Sequence, residues 1–142
     1  MNDVPRLNIL LVEDDDVAAE AVLRSLKKLD VPFPVVCAED GMAALQILRG
    51  KDPVRSIARP LVVLLDLNMP RMNGFEFLEQ LRADAQLCQE VVFVLTTSDV
   101  DSDRTRAYQD QIAGYMVKSA VGPQFSKLAA LLVSYAAAVK LP

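Results

Sequence analysis

The chain has no histidine, no tryptophan and only two cysteines among its 142 residues. It therefore cannot supply a histidine general base, a histidine metal ligand or a phosphohistidine of its own. Cys37 and Cys88 have no CxxC partner, so a thiolate metal site is not expected. The sequence also lacks an apolar run of membrane-spanning length and a signal-peptide core after Met1. These absences predict a cytoplasmic protein without membrane contact.

Basic residues are also fewer than acidic residues. Fifteen Lys and Arg against 19 Asp and Glu give a net charge of −4. Nucleic-acid binding needs a basic face for the phosphates, so nucleic acid is not an expected partner. Apolar residues make up 52% of the chain and charged residues 24%, which is typical of a globular protein. The length suits one domain, and we expect a single domain over residues 1–142 with no output domain.

Apolar segments alternate with helical patterns five times along the chain. The predicted strands are residues 7–12, 33–38, 60–66, 91–95 and 113–117. The first predicted helix begins after Asp15 or Asp16, and we leave open which of the two is its N-cap. The second ends at Gly50, and the other three cover residues 74–85, 101–111 and 123–140. Pro34 favours an edge position for the second strand. Such alternation predicts a parallel α/β sheet with helices on both faces and all strand carboxyl ends along one edge.

Polar side chains follow four of the predicted strands. Glu13 and Asp14 follow the first, Asp66 the third, Thr96 the fourth and Lys118 the fifth, whereas the second ends in an acidic pair expected to lie to one side. Three close carboxylates repel one another and recruit a cation, and oxygen ligands favour Mg²⁺. A carboxylate beside Mg²⁺ and an ammonium group can act as a nucleophile toward phosphorus.

Four motifs make a family resemblance specific: LVEDD at 11–15, LDLNMPRMNG at 65–74, LTTS at 95–98 and GYMVK at 114–118. With these motifs in order over about residues 7–132, the chain resembles the receiver domains of two-component response regulators, in the chemotaxis-type single-domain form. The loop at 51–59 and the Ala-rich last helix are similar to those of regulators paired with bacteriophytochrome-type kinases. The resemblance implies a flavodoxin-like fold with strand order 2-1-3-4-5.

The resemblance also implies a Mg²⁺ site. Asp66 would be the phospho-acceptor, Asp14 a direct metal ligand, and Glu13 a ligand acting largely through water. The backbone carbonyl of Asn68 would be a further ligand. The phosphoryl group would come from a sensor histidine kinase or a phosphotransfer protein.

The resemblance gives the remaining residues roles in phosphoryl binding and switching. Thr96 lies 22 residues before Lys118, which is the family's spacing. It would bond the phosphoryl group, Lys118 would pair with that group, and Tyr115 would turn inward as Thr96 moves.

Two features depart from the family pattern. The residue after Lys118 is Ser119 rather than proline, and a cis bond before a non-proline residue costs roughly 3–4 kcal/mol. We therefore expect a trans or strained bond there. The turn after the fourth helix reads DQI at 110–112 instead of a glycine-containing turn, so we expect a reshaped surface.

The last helix is apolar nearly all round, and such a helix needs cover on more than one face. We expect it to form a homodimer or a kinase-docking surface. The candidate interface residues are Leu128, Leu131, Leu132 and Tyr135.

Three functions compete. The leading prediction is a phosphoryl-accepting signalling switch whose own chemistry is limited to self-phosphorylation and self-dephosphorylation and whose output runs through protein contacts. The alternatives are a degenerate receiver that binds partners without phosphorylation, which Ser119 leaves open although the intact set of five site residues argues against it, and a small Mg²⁺-dependent phosphohydrolase. The last usually needs a cap or an extra acidic loop, for which the sequence offers no spare residues.

Overall fold

The computed structural model describes residues 7–30, 32–122 and 125–142, which form five strands and five principal helices. The strands are β1 (Asn8–Val12), β2 (Val35–Ala38), β3 (Leu61–Leu65), β4 (Val91–Thr96) and β5 (Gly114–Val117). The helices are α1 (Asp16–Lys27), α2 (Gly41–Leu48), α3 (Gly74–Ala83), α4 (Asp101–Gln109) and α5 (Ser126–Ala138). A 3-10 turn, Lys118–Ala120, follows β5.

The sheet is parallel throughout, in the order β2-β1-β3-β4-β5. This confirms the predicted fold class and the edge position of β2. The central strand β3 is buried along its whole length, as its uninterrupted LVVLL sequence requires of a strand covered on both faces. Since all five strands run the same way, their carboxyl ends meet at one edge of the sheet.

Each face of the sheet carries its own hydrophobic core. One core contains α2, α3 and α4, represented by Ile47, Phe77 and Ala107. The other contains α1 and α5, represented by Leu26 and Leu132. Ala107 is the only buried residue of α4, because the rest of that helix is polar or charged.

Local interactions set several of the helix ends. Asp15 is the N-cap of α1, and its carboxylate accepts from the backbone N–H of Val17 at 2.9 Å. Gly50 adopts φ 71° just beyond α2, which supports its predicted role as a helix stop. Gln111 adopts φ 62° after α4, so it takes the left-handed conformation for which glycine is favoured.

The helices are shorter than the sequence pattern predicts. The patterns predict α4 to residue 111 and α3 to residue 85, but these helices end at Gln109 and Ala83. Beyond these ends the Arg82 guanidinium group donates to the carbonyl oxygens of Asp110 (2.7 Å), Cys88 (2.7 Å), Glu90 (2.8 Å) and Gln111 (3.1 Å). For the last helix, the predicted start at 123–124 lies outside the described residues, and the end falls at Ala138 rather than residue 140.

No helix within the described ranges is both long enough and apolar enough to cross a membrane.

Glu90 is a buried carboxylate at the amino-terminal end of β4. Its Oε1 atom lies 3.0 Å from the Arg59 guanidinium, while Oε2 has no hydrogen-bond partner in the described part of the chain. Burial raises the pKa of Glu90 above its ordinary value of 4.5, although Arg59 and Arg82 oppose the shift. A raised carboxyl pKa means that this group's contribution to stability is complete below pH 4.5 and is lost as the pH rises through the folded-state value.

We therefore expect Glu90→Gln to gain stability relative to the wild type as the pH rises from 4.5 to 8. Urea denaturation of both proteins across this range measures the difference in free energy of unfolding. Glu39→Gln, measured as the pH falls below 4.5, is the control of opposite sign, because a hydrogen bond from Arg55 lowers the pKa of Glu39, so that the stability it contributes is lost in that range. A Glu90→Gln difference that is constant with pH would contradict the prediction.

Candidate functional site

Two carboxylates meet where β1 and β3 end side by side. Val12 pairs with Leu65 in the register of these strands, and the Asp66 N–H donates to the Val12 carbonyl at 3.0 Å. Glu13 and Asp66 therefore follow neighbouring strand ends, and both are buried, at 8% exposure each. One carboxylate oxygen each from Glu13, Asp14 and Asp66 lies within 4.8 Å of the others. The structure thus brings together the three acidic side chains that the sequence predicts to cluster.

Lys118 delivers its ammonium group to this cluster from the end of β5. Its Nζ atom forms an ion pair with Glu13 Oε1 and lies 3.8 Å from Asp66 Oδ2. The Lys118–Ser119 bond is trans, as expected, since the cis bond found in the described ranges is Arg59–Pro60. The 3-10 turn that starts at Lys118 carries the chain onward without proline. Serine at this position therefore still leaves the ammonium group beside the carboxylates, with Glu13 as its primary partner.

Thr96 and Tyr115 converge on the segment after β4. Thr96 is fully buried, and its Oγ1 atom accepts from the N–H of Ser98 at 3.4 Å. The Tyr115 hydroxyl donates to the Ser98 carbonyl at 3.0 Å, and the ring packs against the core on the α3 face. The Thr96 and Tyr115 side chains thus contact the backbone of the same residue, Ser98.

The cluster contains three carboxylates and one ammonium group. Burial raises the pKa of Glu13 to about 7, with a further upward contribution from the hydrogen bond to Asp66, while Lys118 opposes the rise. Negative charge is therefore unfavourable at Glu13 unless more positive charge arrives.

The residues present fit a single hard cation. The donors are carboxylate oxygens within reach of one ion, with no thiolate among them, which favours Mg²⁺ over softer metals. Glu13, Asp14 and Asp66 would hold the ion, which would neutralise charge on phosphoryl oxygens. Asn68 lies beside them, because its N–H donates to Asp66 Oδ1 at 3.3 Å. Its carbonyl as a further ligand stays a prediction.

One neighbouring contact escaped the sequence analysis. Glu39 does lie to one side, where it pairs with Arg55 at 2.7 Å. Asp40, however, forms an ion pair with Arg71, which belongs to the loop that follows Asp66. No local pattern links these residues, because 31 positions separate them in the chain.

The structure corrects part of the predicted interface on α5. Leu128 and Leu132 are completely buried in the core shared with α1, so they cannot contact a partner. Tyr135 is half-buried, with its ring edge-on to Phe93 at a centroid distance of 5.1 Å. Only Leu131 of the four candidates is exposed, at 37%. The side of α5 that carries Leu128 and Leu132 is thus its core-facing side.

The arrangement at the strand ends is that of a receiver domain. A family model described as the response regulator receiver domain matches residues 9–129. The chain therefore belongs to the response regulator receiver family. Domains of this family are signalling switches that bind Mg²⁺ or Mn²⁺ at an acidic pocket and interact with histidine kinases or phosphotransfer proteins.

Individual relatives cover most of the chain. A probable methanogenesis regulatory protein, FilR2 of Methanothrix harundinacea, is 39% identical over 78% of this chain and 70% of its own length. Response regulator Rcp1 of Synechocystis is 33% identical over 78% and 76%. Among solved structures, the phosphorylated cyanobacterial phytochrome response regulator RcpA superposes with a TM-score of 0.84 at 31% identity, covering 96% of this chain and 99% of its own. The bacteriophytochrome response regulator RtBRR gives 0.75 at 31% identity, covering 95% and 80%.

Proposed function

We propose that this chain is a phosphoryl-accepting switch whose acceptor is Asp66. The observation that carries the proposal is the convergence of Glu13, Asp14 and the Lys118 ammonium group on that one carboxylate. An Asp66 carboxylate oxygen attacks the phosphorus of a phosphohistidine, an acyl phosphate P–O bond forms, and the P–N bond breaks. The electron pair of that bond stays on the departing imidazole. The histidine must come from a sensor kinase or phosphotransfer protein, because this chain contains none.

The other site residues have roles that their surroundings support. Lys118 is close enough to pair with a phosphoryl oxygen on Asp66 after it leaves Glu13. The Thr96 hydroxyl is the natural donor to a second phosphoryl oxygen, because it comes from the adjacent strand end. Two solved relatives make the chemistry reasonable for this chain: RcpA in its phosphorylated form and Rcp1 in its Mn²⁺-bound form, the latter with a TM-score of 0.82 at 30% identity.

Switching would run through the backbone of Ser98. When the Thr96 hydroxyl turns toward the phosphoryl group, it gives up its hydrogen bond from the Ser98 N–H. The carbonyl of the same residue accepts the hydrogen bond from the Tyr115 hydroxyl, so the two side chains are linked through Ser98. Movement at Thr96 is thereby passed to the exposed surface beside α4. Output would follow through protein contacts, with a downstream protein or with a second copy of this chain through the exposed Leu131 side of α5.

The test is incubation with Mg²⁺ and acetyl phosphate, followed by intact mass measurement. We expect a mass gain of one phosphoryl group in the wild type and none in Asp66→Asn. Asp16→Asn is the matched control, because Asp16 is an exposed carboxylate outside the cluster, and it should gain the group normally. No gain with any phosphodonor would contradict the proposal and favour a binding module that works without phosphorylation. Steady Mg²⁺-dependent turnover of simple phosphoesters would instead favour a phosphohydrolase.

A further inference from the structure

The loop between β3 and α3, residues 67–73, is called the site loop below because it begins directly after Asp66 and contains Asn68. Its ends are tied to the site itself. The Asn68 N–H donates to Asp66 Oδ1 at 3.3 Å, and the Gly74 N–H donates to the Leu67 carbonyl at 3.1 Å. These two bonds fix the base of the site loop and leave its tip, around Arg71, to be held by something else.

The tip adopts a backbone conformation that needs support. Arg71 has φ 62°, in the left-handed region that is unfavourable for a residue with a side chain. Such a conformation persists when surrounding contacts hold it. Two contacts do so, and both come from the start of α2: the Asp40–Arg71 ion pair, and a hydrogen bond from the Gly41 N–H to the Met72 carbonyl at 3.2 Å.

Asp40 is built to hold the loop as well as its own helix. It is 2% exposed, so its carboxylate needs partners for both oxygens. Oδ1 caps α2 by accepting from the Ala43 N–H at 2.8 Å, and Oδ2 pairs with Arg71. The helix therefore needs only one of the two oxygens. The other is committed to the site loop.

The two segments are also in close contact beside this ion pair. A Cβ atom at Gly41 would lie 2.9 Å from Met72 Cγ and 2.9 Å from Phe77 Cβ. Only glycine allows the start of α2 to come so near the loop. Because the contact is this tight, a shift of the Arg71 tip relative to α2 requires the whole site loop to move.

We propose that the Asp40–Arg71 pair is a positioning pair for the metal and phosphoryl site, acting through the site loop. It touches neither the metal ligands nor the acceptor, and it holds the backbone that runs from Asp66 through Asn68. This inference rests on the proposed function, in which that backbone and the Asp66 carboxylate bind Mg²⁺. Partners that orient metal ligands in this way change metal affinity when they are removed.

Arg71→Ala separates this role from the capping of α2, because it leaves Asp40 bonded to Ala43. We expect the Mg²⁺ dissociation constant, measured by isothermal titration calorimetry without any phosphodonor, to rise about 10-fold. We also expect faster amide hydrogen exchange at Asn68 by NMR, with Arg71→Lys recovering most of both properties. Arg49→Ala is the matched control, because it removes another Arg–Asp pair, Arg49–Asp84 at 3.2 Å, outside the site loop, and should change neither.

The outcomes separate the two proposals. Unchanged Mg²⁺ affinity and Asn68 exchange in Arg71→Ala, in a wild type that binds Mg²⁺ and accepts phosphoryl on Asp66, would overturn the positioning role alone. Weaker affinity in Arg71→Ala that Arg71→Lys does not restore at all would also overturn it, since the ion pair would then not be the cause. A wild type that neither binds Mg²⁺ nor gains a phosphoryl group would overturn the proposed function, and the positioning role with it.

Discussion

Lys118→Met is expected to destabilise the metal-free protein and to strengthen its binding of Mg²⁺. The Lys118 side chain is 14% exposed, and its ammonium group is the cation paired with Glu13 and close to Asp66. Removing it leaves buried carboxylates without their counter-charge, which costs roughly 3 kcal/mol in the free energy of unfolding. Protonation of Glu13, whose pKa burial raises to about 7, limits this cost near neutral pH.

The same substitution removes a competitor of the metal. A cation entering the cluster must take Glu13 from Lys118 and is repelled by the ammonium group nearby. We expect the Mg²⁺ dissociation constant of Lys118→Met to fall by about 10-fold or more, since a unit charge a few ångströms away is worth several kcal/mol at a partly buried site. Thermal unfolding with and without Mg²⁺, together with calorimetric titration, measures both effects. Lys51→Met, an exposed lysine, should change neither, and equal Mg²⁺ affinity in Lys118→Met and the wild type would refute the competition.

Gly74→Ala is expected to destabilise the protein by about 3 kcal/mol, the upper part of the range for overpacking. The added Cβ would lie 2.6 Å from the Asp66 carbonyl oxygen and 2.7 Å from the Leu67 Cα, both of which are backbone atoms that no side-chain rotation can move. Helix propensity alone would favour alanine over glycine by about 1 kcal/mol, so a loss of stability would have to come from the close contacts. Since α3 or the end of β3 must shift, weaker Mg²⁺ binding should accompany the loss.

Gly50→Ala is the matched control for this substitution. Its added Cβ would have no atom within 4 Å, but its φ of +71° makes a side chain unfavourable by about 1 kcal/mol. Urea denaturation should therefore rank the proteins as wild type, Gly50→Ala and Gly74→Ala in decreasing stability, with Mg²⁺ affinity altered only in the last. A Gly74→Ala protein as stable as the wild type would show that the close approach is not a constraint.

The fold was largely predictable because its signals are local. The run LVVLL before Asp66 is typical of a strand buried on both faces, and the alternation of such runs with helices predicts a parallel sheet. Parallel strands bring their carboxyl ends to one edge, which is enough to predict that Glu13, Asp66 and Lys118 meet. Helix ends were less predictable. Those of α3 and α4 fall short of the predicted bounds, beside four carbonyl oxygens that share Arg82.

The side of α5 that faces solvent shows the limit of the periodicity. Leu128, Leu131 and Leu132 are chemically alike and adjacent on the pattern, yet only Leu131 is exposed. Which of them faces the core depends on how the helix rotates against α1 and the sheet. That rotation is a property of the packed domain, because a helix that is apolar nearly all round offers more than one possible core-facing side.

The sequence by itself determined the sheet and the identity of the acidic cluster, because these follow from periodicity and from the order of strand ends, and its four motifs indicated the class of protein through their resemblance to a known family. Tertiary structure alone decided that Lys118 forms its shorter ion pair with Glu13 rather than with Asp66, and that Asp40 forms an ion pair with Arg71. Those pairings join residues 105 and 31 positions apart, and each partner could have met another charge of the right sign. Their selection depends on distances between backbone segments, which only the packing of the helices on the sheet defines.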